Sequence, residues 1–121
     1  MSTAKFNQWL NPDGTENYKC RAWCAFNAIS GTPVILSSGN ISSITDNAVG
    51  DFTLNFISAL PDANYALSGM GEGNPSYWGT SVVIQASPAG TPVIKTAAAV
   101  RIRVDDGVAL RDSFTSVAIF R

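Results

Sequence analysis

The sequence contains no histidine and only two cysteines. Without histidine, the Ser–His and Cys–His pairs of nucleophilic catalysis and the histidine ligands of zinc sites are excluded. Two cysteines are also too few to hold zinc by themselves. Walker, dinucleotide-binding and zinc-protease motifs are absent from the sequence as well. We therefore expect a protein that is not an enzyme and binds no metal or cofactor.

Charged residues are scarce: they make up 14% of the 121 residues, against roughly 25% in a typical domain. The formal net charge is −1. Nucleic-acid binding needs clustered Lys and Arg, but aspartates offset the densest basic group, which is Arg101, Arg103 and Arg111. No apolar run approaches the roughly 18 residues of a membrane helix. We expect no nucleic-acid partner and no membrane insertion.

The acidic residues are interpreted as turn residues. A glycosidase needs two carboxylates across a cleft, whereas aspartate is favoured in turns because its side chain hydrogen-bonds locally. Six of the nine acids fall at such positions: Asp13, Asp46, Asp51, Asp62, Asp105 and Asp106. Asp105 and Asp106 lack the further oxygen ligands of an EF-hand loop. We expect neither a catalytic carboxylate pair nor a calcium site.

Short stretches with period-2 alternation dominate the chain, and no convincing helical period is present. Turn residues separate them every eight to twelve positions, which is typical of an antiparallel sandwich or jelly-roll-like barrel. We predict an all-β fold of about seven to eight short strands in one domain. The predicted strands are residues 19–27, 33–37, 40–45, 51–57, 65–70, 81–86, 96–104 and 115–120.

Three connections between these strands carry turn signals. Residues 46–51 are predicted to form a hairpin loop, and residues 71–79 a loop that contains Gly, Pro and aromatic residues. The Asp-Asp-Gly sequence at 105–107 predicts a hairpin. Alternation within the strands predicts shared faces for three sets: Cys20, Ala22, Cys24 and Phe26; Phe52, Leu54 and Phe56; and Val117 with Ile119, opposite Ala118 and Phe120.

The two cysteines, Cys20 and Cys24, are predicted to be free thiols. Residues four apart on a strand lie roughly 13 Å apart, and a disulfide needs Cα atoms within about 7 Å. The residues before this strand lack the apolar stretch of a signal peptide. Synthesis in a cytosol without export by that route is therefore expected, which also favours reduced thiols.

Residues 1–18 are predicted to be an N-terminal attachment arm that precedes a β-sandwich domain of residues 19–121. The arm is polar and contains a turn signal, Asn-Pro-Asp-Gly, at 11–14. Phe6, Trp9 and Leu10 are its apolar residues, and we expect them to dock in a groove on a neighbouring subunit, on the capsid or on the tail. Two alternatives are one helical turn and a first strand of the same domain.

Tyr77 and Trp78 are the other binding candidates. Aromatic side chains on a glycine-rich loop can stack on a sugar or on a partner protein. The alternative is that they cap the end of the core.

Three segments resemble a known family. They are Tyr-Lys-Cys-Arg-Ala-Trp at 18–23 followed by Phe-Asn at 26–27, a longer middle run made of residues 39–47, 50–56 and 59–65, and Ser-Val-Ala-Ile-Phe at 116–120. Together they resemble a domain of tailed-bacteriophage proteins that is often found at the C-terminal end of tail-fibre-like chains. The resemblance covers roughly residues 16–121. It implies a virion structural role and trimers, and it carries no catalytic residues. Ala28 stands where the family pattern has Gly.

The function expected from this resemblance is that of a non-catalytic virion structural protein that assembles as a symmetric oligomer, with a homotrimer favoured. Scarce charge and a surplus of apolar strand faces also favour an oligomer. A fibre tip, a spike tip and a capsid decoration protein remain open, and a short arm in place of a fibre shaft favours the last two. The alternative is a carbohydrate- or receptor-binding module for host attachment. Expected partners are the chain itself, other virion proteins and, in the alternative, a host cell-surface glycan; the expected location is the virion, after synthesis in host cytoplasm.

Overall fold

A computed structural model describes residues 9–15, 19–74, 76–84 and 95–121. Within these residues the chain forms eight β-strands, and the all-β prediction is confirmed. The strands are β1 (Cys20–Asn27), β2 (Val34–Gly39), β3 (Ile41–Ala48), β4 (Asp51–Phe56), β5 (Ala66–Asn74), β6 (Tyr77–Ile84), β7 (Ala99–Asp105) and β8 (Phe114–Phe120).

All eight strands belong to one antiparallel sheet with the order β2-β1-β8-β5-β6-β7-β4-β3. Strands β5, β6 and β7 pair in sequence, and β8 returns to lie beside β5. This 8-5-6-7 order is a Greek key. Because the sheet is continuous and its edge strands β2 and β3 contact each other, the fold is a nearly closed, barrel-like sheet, as predicted.

Asn40 stabilises the seam of the barrel, which is the place where the edge strands β2 and β3 meet. It connects β2 to β3, the two edge strands, and adopts a left-handed backbone conformation with φ of 58°. Its side-chain amide donates hydrogen bonds to the carbonyls of Arg21 (3.2 Å) and Ser58 (3.0 Å). The Ser58 amide donates to Asn40 Oδ1 at 2.8 Å. One side chain therefore links the start of β1, the β2–β3 corner and the segment after β4.

The buried apolar residues of the described ranges form one core inside the barrel. Phe26 and Phe52 are fully buried and meet edge to face, with ring centroids 5.3 Å apart. The predicted shared faces of β1, β4 and β8 are confirmed, with one exception, and the structure shows that they point into the core. Cys20 is exposed, because the β1–β8 register shifts between Cys20 and Ala22 and turns the first residue of the strand away from the core. Both cysteines are free, in agreement with the prediction.

The predicted loop at residues 71–79 is wrong. Strand β5 continues to Asn74 and β6 starts at Tyr77, so most of this segment is a β-hairpin. Its glycines suggested a loop, but Gly71 serves close packing inside the sheet: a Cβ there would overlap Thr80 Oγ1. The loop predicted at 46–51 is also too long, because β3 runs to Ala48 and the turn is confined to residues 49–50.

The Asp-Asp-Gly sequence at 105–107 does form a turn, which an isolated bridge between Asp105 and Leu110 closes. It does not join paired strands, since β7 pairs with β4 and β6 while β8 pairs with β1 and β5. The following loop crosses one end of the barrel. The Gly50 amide donates to Asp112 Oδ1 at 2.9 Å, and the Arg111 amide donates to the Val104 carbonyl at 2.9 Å.

Candidate binding face

The outer surface of β1, β8 and β5 carries an uncharged patch, which we call the neutral face. Sheet register places its six residues in two rows across the strands: Trp23, Ala118 and Ser68 in one, and Ala25, Ser116 and Met70 in the other. Each belongs to the exposed or half-buried alternation of its strand. Charged residues on these strands lie only beyond the face, at Arg21 and Glu72.

A shallow groove of about 440 Å³ runs along the neutral face. Small side chains form its floor, at Ala25, Ala118 and Ser68. Two large side chains flank it: Trp23 is 41% exposed and Met70 is 71% exposed. The groove is mostly apolar and can therefore gain stability by excluding water on contact with another apolar surface.

Gly39 of β2 fixes the position of the Trp23 indole. The two residues are paired across the β1–β2 ladder. A Cβ atom at position 39 would overlap Trp23 Nε1, so the ring lies flat across the glycine backbone. The indole is thereby held at the edge of the groove, although it stays partly exposed to solvent.

The outer surface of β3, β4 and β7 has the opposite character. Asn55 Nδ2 donates to Ser43 Oγ at 3.1 Å and to Thr45 Oγ1 at 3.0 Å. Next to these, Asp51 and Arg101 form a bidentate ion pair with distances of 2.8 and 2.7 Å. The hydrogen bonds from Arg101 lower the pKa of the Asp51 carboxyl. The polar side chains of this surface are therefore hydrogen-bonded to one another and suited to contact with water, whereas the neutral face has no such network.

Three buried hydroxyl groups lie inside the barrel near the loop that crosses its end. Ser113 Oγ lies 3.2 Å from both Thr80 Oγ1 and Thr115 Oγ1. Each therefore has a hydrogen-bond partner, and no buried side-chain polar atom of the described residues lacks one. A nucleophilic serine needs an adjacent base, and the neighbours of Ser113 in this cluster are hydroxyls. The cluster is consistent with a structural role.

The two aromatic candidates, Tyr77 and Trp78, have different environments in the structure. The Tyr77 hydroxyl donates to the Asp112 carbonyl at 3.3 Å, and the Arg111 guanidinium lies 5.0 Å from the centre of its ring. Tyr77 thus packs against the loop at the barrel end. Trp78 is fully exposed near the tip of the β5–β6 hairpin. Of the two, only Trp78 exposes its whole side chain to solvent.

The structure describes two of the three candidate residues of the N-terminal arm. Trp9 is 54% exposed and Leu10 is 50% exposed, while Phe6 lies outside the described residues. The turn predicted at 11–14 is confirmed: the Gly14 amide donates to the Asn11 carbonyl at 2.9 Å, and Gly14 has φ of 87°.

Among the described residues, no three His, Cys, Asp or Glu side chains come together in a group that could hold a metal ion. The same part of the chain contains no helix long and apolar enough to cross a membrane.

Comparison with known proteins adds no relative: no family model matches the chain, and no match is found among curated proteins or solved structures. The fold and its surfaces therefore carry the functional argument. They define an all-β barrel with one neutral and one polar outer side.

Sequence reasoning did not identify the neutral face. The signal was present in β1, β5 and β8, where small or apolar residues occupy the outward positions as well as the inward ones. Combining them required the strand order, because β8 lies between two strands that are 39 or more residues apart in the sequence.

Proposed function

We propose that this chain is a non-catalytic structural protein of a bacteriophage virion, and that it assembles as a symmetric oligomer through the neutral face. The observation that carries the proposal is an uncharged surface spread over three adjacent strands of a rigid barrel. The resemblance of residues 16–121 to tail-fibre-like proteins supports the phage role. A tip of a fibre or spike and a capsid decoration protein fit these features equally.

A neutral face is suited to contact with its own copy. Charged residues are depleted at the centres of protein interfaces, whereas aromatic residues and Met are enriched. Trp23 and Met70 are of these favoured types, and the small residues between them let another surface approach closely. Since the face carries no charge, a symmetric contact brings no like charges together and buries no unpaired ion.

Solution mass tests the assembly. Light scattering coupled to size exclusion should give about three chains per particle for the wild type. Met70→Lys places a charge on the face and should lower the mass to that of one chain. Ile57→Lys is the matched control, because Ile57 is 68% exposed, against 71% for Met70, and lies outside the face. A wild-type monomer, or equal behaviour of the two variants, contradicts assembly through this face.

Particle composition tests the virion role. Purified virions of the phage that encodes this chain should contain it in a copy number that is a multiple of the oligomer. The measurement is quantitative mass spectrometry of gradient-purified particles. If the protein is abundant in the infected cell but missing from the particles, the virion role is wrong, whatever its oligomeric state.

Trp78 favours a second candidate function, the binding of a carbohydrate or receptor. A fully exposed indole near a hairpin tip offers a flat surface on which a sugar ring can stack. Binding to a glycan array should then be lost in Trp78→Ala and kept in Val108→Ala, which alters another exposed apolar residue (90%) on a loop. Equal binding by both variants rules out this role for Trp78.

A further inference from the structure

Residues 9–15 form a small ordered hairpin outside the barrel core. The Asn11 amide donates to the Thr15 carbonyl at 2.8 Å, and the Gly14 amide donates back to the Asn11 carbonyl at 2.9 Å. Asp13 Oδ1 accepts from the Thr15 amide (2.9 Å) and hydroxyl (2.6 Å). A left-handed glycine after the turn is typical of three-residue hairpin loops. The segment is therefore preorganised, which lowers the entropy lost when it docks.

This hairpin presents two adjacent large apolar side chains. Trp9 and Leu10 are each about half exposed, at 54% and 50%. The one charged residue of the hairpin, Asp13, is engaged at the turn by Thr15. The apolar part of the hairpin is therefore neutral, like the groove on the neutral face.

The groove has a suitable composition for these side chains, because it is open at the surface and its lining is mostly apolar. Its walls are Trp23 and Met70, and its floor is small and uncharged. An aromatic side chain beside Trp23 gains contact between rings, and Met packs favourably against aromatic rings.

Chain length places the hairpin close to this groove. Five residue steps separate Thr15 from Cys20, the first residue of β1, and they span at most about 17 Å. Strand β1 also supplies Trp23 and Ala25 to the groove. The groove is open while Trp9 and Leu10 are half exposed, so the hairpin does not fill the groove of its own chain. In an assembly whose neutral faces meet, this reach also brings the groove of a neighbour within range of the hairpin.

We propose that Trp9 and Leu10 of one copy dock in the groove of the neutral face of a second copy. This inference rests on the proposed oligomer and names the segment that occupies its interface. The hairpin then acts as an exchanged clamp between subunits, which holds the neighbouring barrel by an apolar contact with no ion pair.

Directed cross-linking between differently tagged chains tests the docking. All chains carry Cys20→Ser, which removes the exposed native thiol; Cys24 is buried. One chain carries Leu10→Cys and the other carries Ser68→Cys, in the groove. The control partner carries Thr45→Cys, an exposed hydroxyl residue on the polar surface. After mixing, subunit exchange and mild oxidation, we expect a disulfide between the two tags with Ser68→Cys and at least tenfold less with Thr45→Cys.

Three results overturn the inference. They are equal yields with both partners, no cross-link from an oligomeric mixture, and a cross-link only within one chain when it carries both Leu10→Cys and Ser68→Cys. The double variant Trp9→Ser and Leu10→Ser, in otherwise native protein, should also weaken self-association at least tenfold, while Ile57→Ser should not.

These outcomes are separable from those of the proposed function. An oligomer that is found in virions but gives no inter-chain cross-link removes the clamp and keeps the structural role. A specific cross-link in a protein that is missing from virions keeps the clamp and removes the role. A wild-type monomer overturns the clamp, and the composition of the particles then decides the role by itself.

Discussion

The side chain opposite position 71 leaves no room there for any residue larger than glycine. Gly71 pairs with Thr80 across the β5–β6 ladder, and Thr80 belongs to the buried hydroxyl cluster with Ser113. A methyl group at position 71 would occupy the space of the Thr80 hydroxyl. Gly79, on the same hairpin, has no such neighbour, since its added Cβ would meet only the Gly71 carbonyl, at 3.7 Å.

Gly71→Ala should therefore lower the free energy of unfolding by about 1–3 kcal/mol, the usual cost of overpacking a tight interior. Gly79→Ala should change it by less than about 0.5 kcal/mol, as is usual for substitutions without a clash. Urea titrations followed by tryptophan fluorescence measure both. Equal losses would mean that the clash with Thr80 is not the cause.

The two cysteines should differ in reactivity although they are close in sequence. Cys24 faces the core, and burial raises the pKa of its thiol to about 11. Since the thiolate is the reactive form, Cys24 should not react with a thiol reagent in the folded protein. After unfolding without reductant, two thiols per chain should be titrated. A count of zero would indicate a disulfide, within or between chains, and would contradict the prediction of free thiols.

The corner between β2 and β3 sets the closure of the barrel. Asn40 supports it through its left-handed backbone, through its side-chain bonds to Arg21 and Ser58, and through its carbonyl, which accepts from the Ile57 amide at 3.1 Å. Among non-glycine residues, asparagine tolerates this conformation well. Substitutions at Asn40 can therefore separate the contribution of its backbone conformation to stability from that of its side-chain hydrogen bonds.

Asn40→Ala should lose both contributions, and Asn40→Gly only the side-chain bonds. Each hydrogen bond contributes about 0.5–1.5 kcal/mol, and a left-handed conformation costs an L-residue about 1–2 kcal/mol. We expect the alanine variant to be less stable than the glycine variant by about 1 kcal/mol, and both to be less stable than the wild type in urea titrations. A glycine variant as stable as the wild type would show that the side-chain bonds do not fasten the seam.

The Asp106 carboxylate accepts several hydrogen bonds within the loop that crosses the barrel end. The Ala109 and Val108 amides, and secondarily Arg111, donate to Asp106 and lower its pKa to about 2. An unfolded aspartate titrates near 3.9. Because the pKa in the folded state is the lower one, this stabilisation is present above about pH 4 and is lost as the pH falls towards about 2.

Asp106→Ala should consequently lower the melting temperature at neutral pH, and its difference from the wild type should shrink between about pH 4 and pH 2. Circular dichroism melts across this range provide the measurement. Val108→Ala, an exposed change on the same loop (90%), should follow the wild type at every pH. A constant difference between Asp106→Ala and the wild type would assign the effect to something other than this carboxylate.

At the scale of the whole molecule, the buried core of the described residues contains none from the N-terminal segment. The buried cluster begins at Ala22 and ends at Ile119, and it contains no residue from the 9–15 hairpin. The buried cluster thus draws on the segment that was predicted as the domain, residues 19–121, while the predicted arm supplies exposed side chains where it is described.

Deletion of residues 1–15 should therefore leave the melting temperature of the isolated barrel nearly unchanged and lower the number of chains per particle. Calorimetry and light scattering measure the two effects separately, at a protein concentration where the wild type is oligomeric. Because oligomers also gain stability by mass action, the melting comparison uses the monomeric Met70→Lys background. If the truncated chain unfolds, the segment is part of the core and not an arm.

The sequence by itself determined the fold class, most of the strands and the sets of residues that share a face of β1, β4 and β8. These follow from local chemistry, because alternation has a period of two along any half-buried strand and turn residues interrupt it. It also determined the turn at 11–14, where Asn, Pro, Asp and Gly each favour the required backbone conformation. It misread residues 71–79, because glycine serves both loops and tight packing, and only the facing Thr80 distinguishes the two.

Only the tertiary structure decided how the strands are ordered, and with them the neutral face, the seam at Asn40 and the separation of Tyr77 from Trp78. These features join residues far apart in the chain: Trp23, Ser68 and Ala118 meet because β8 inserts between β1 and β5. No local preference encodes that insertion. It results from the burial of all eight strands around one core. The free energy gained by removing apolar surface from water outweighs the entropy cost of closing the long connections.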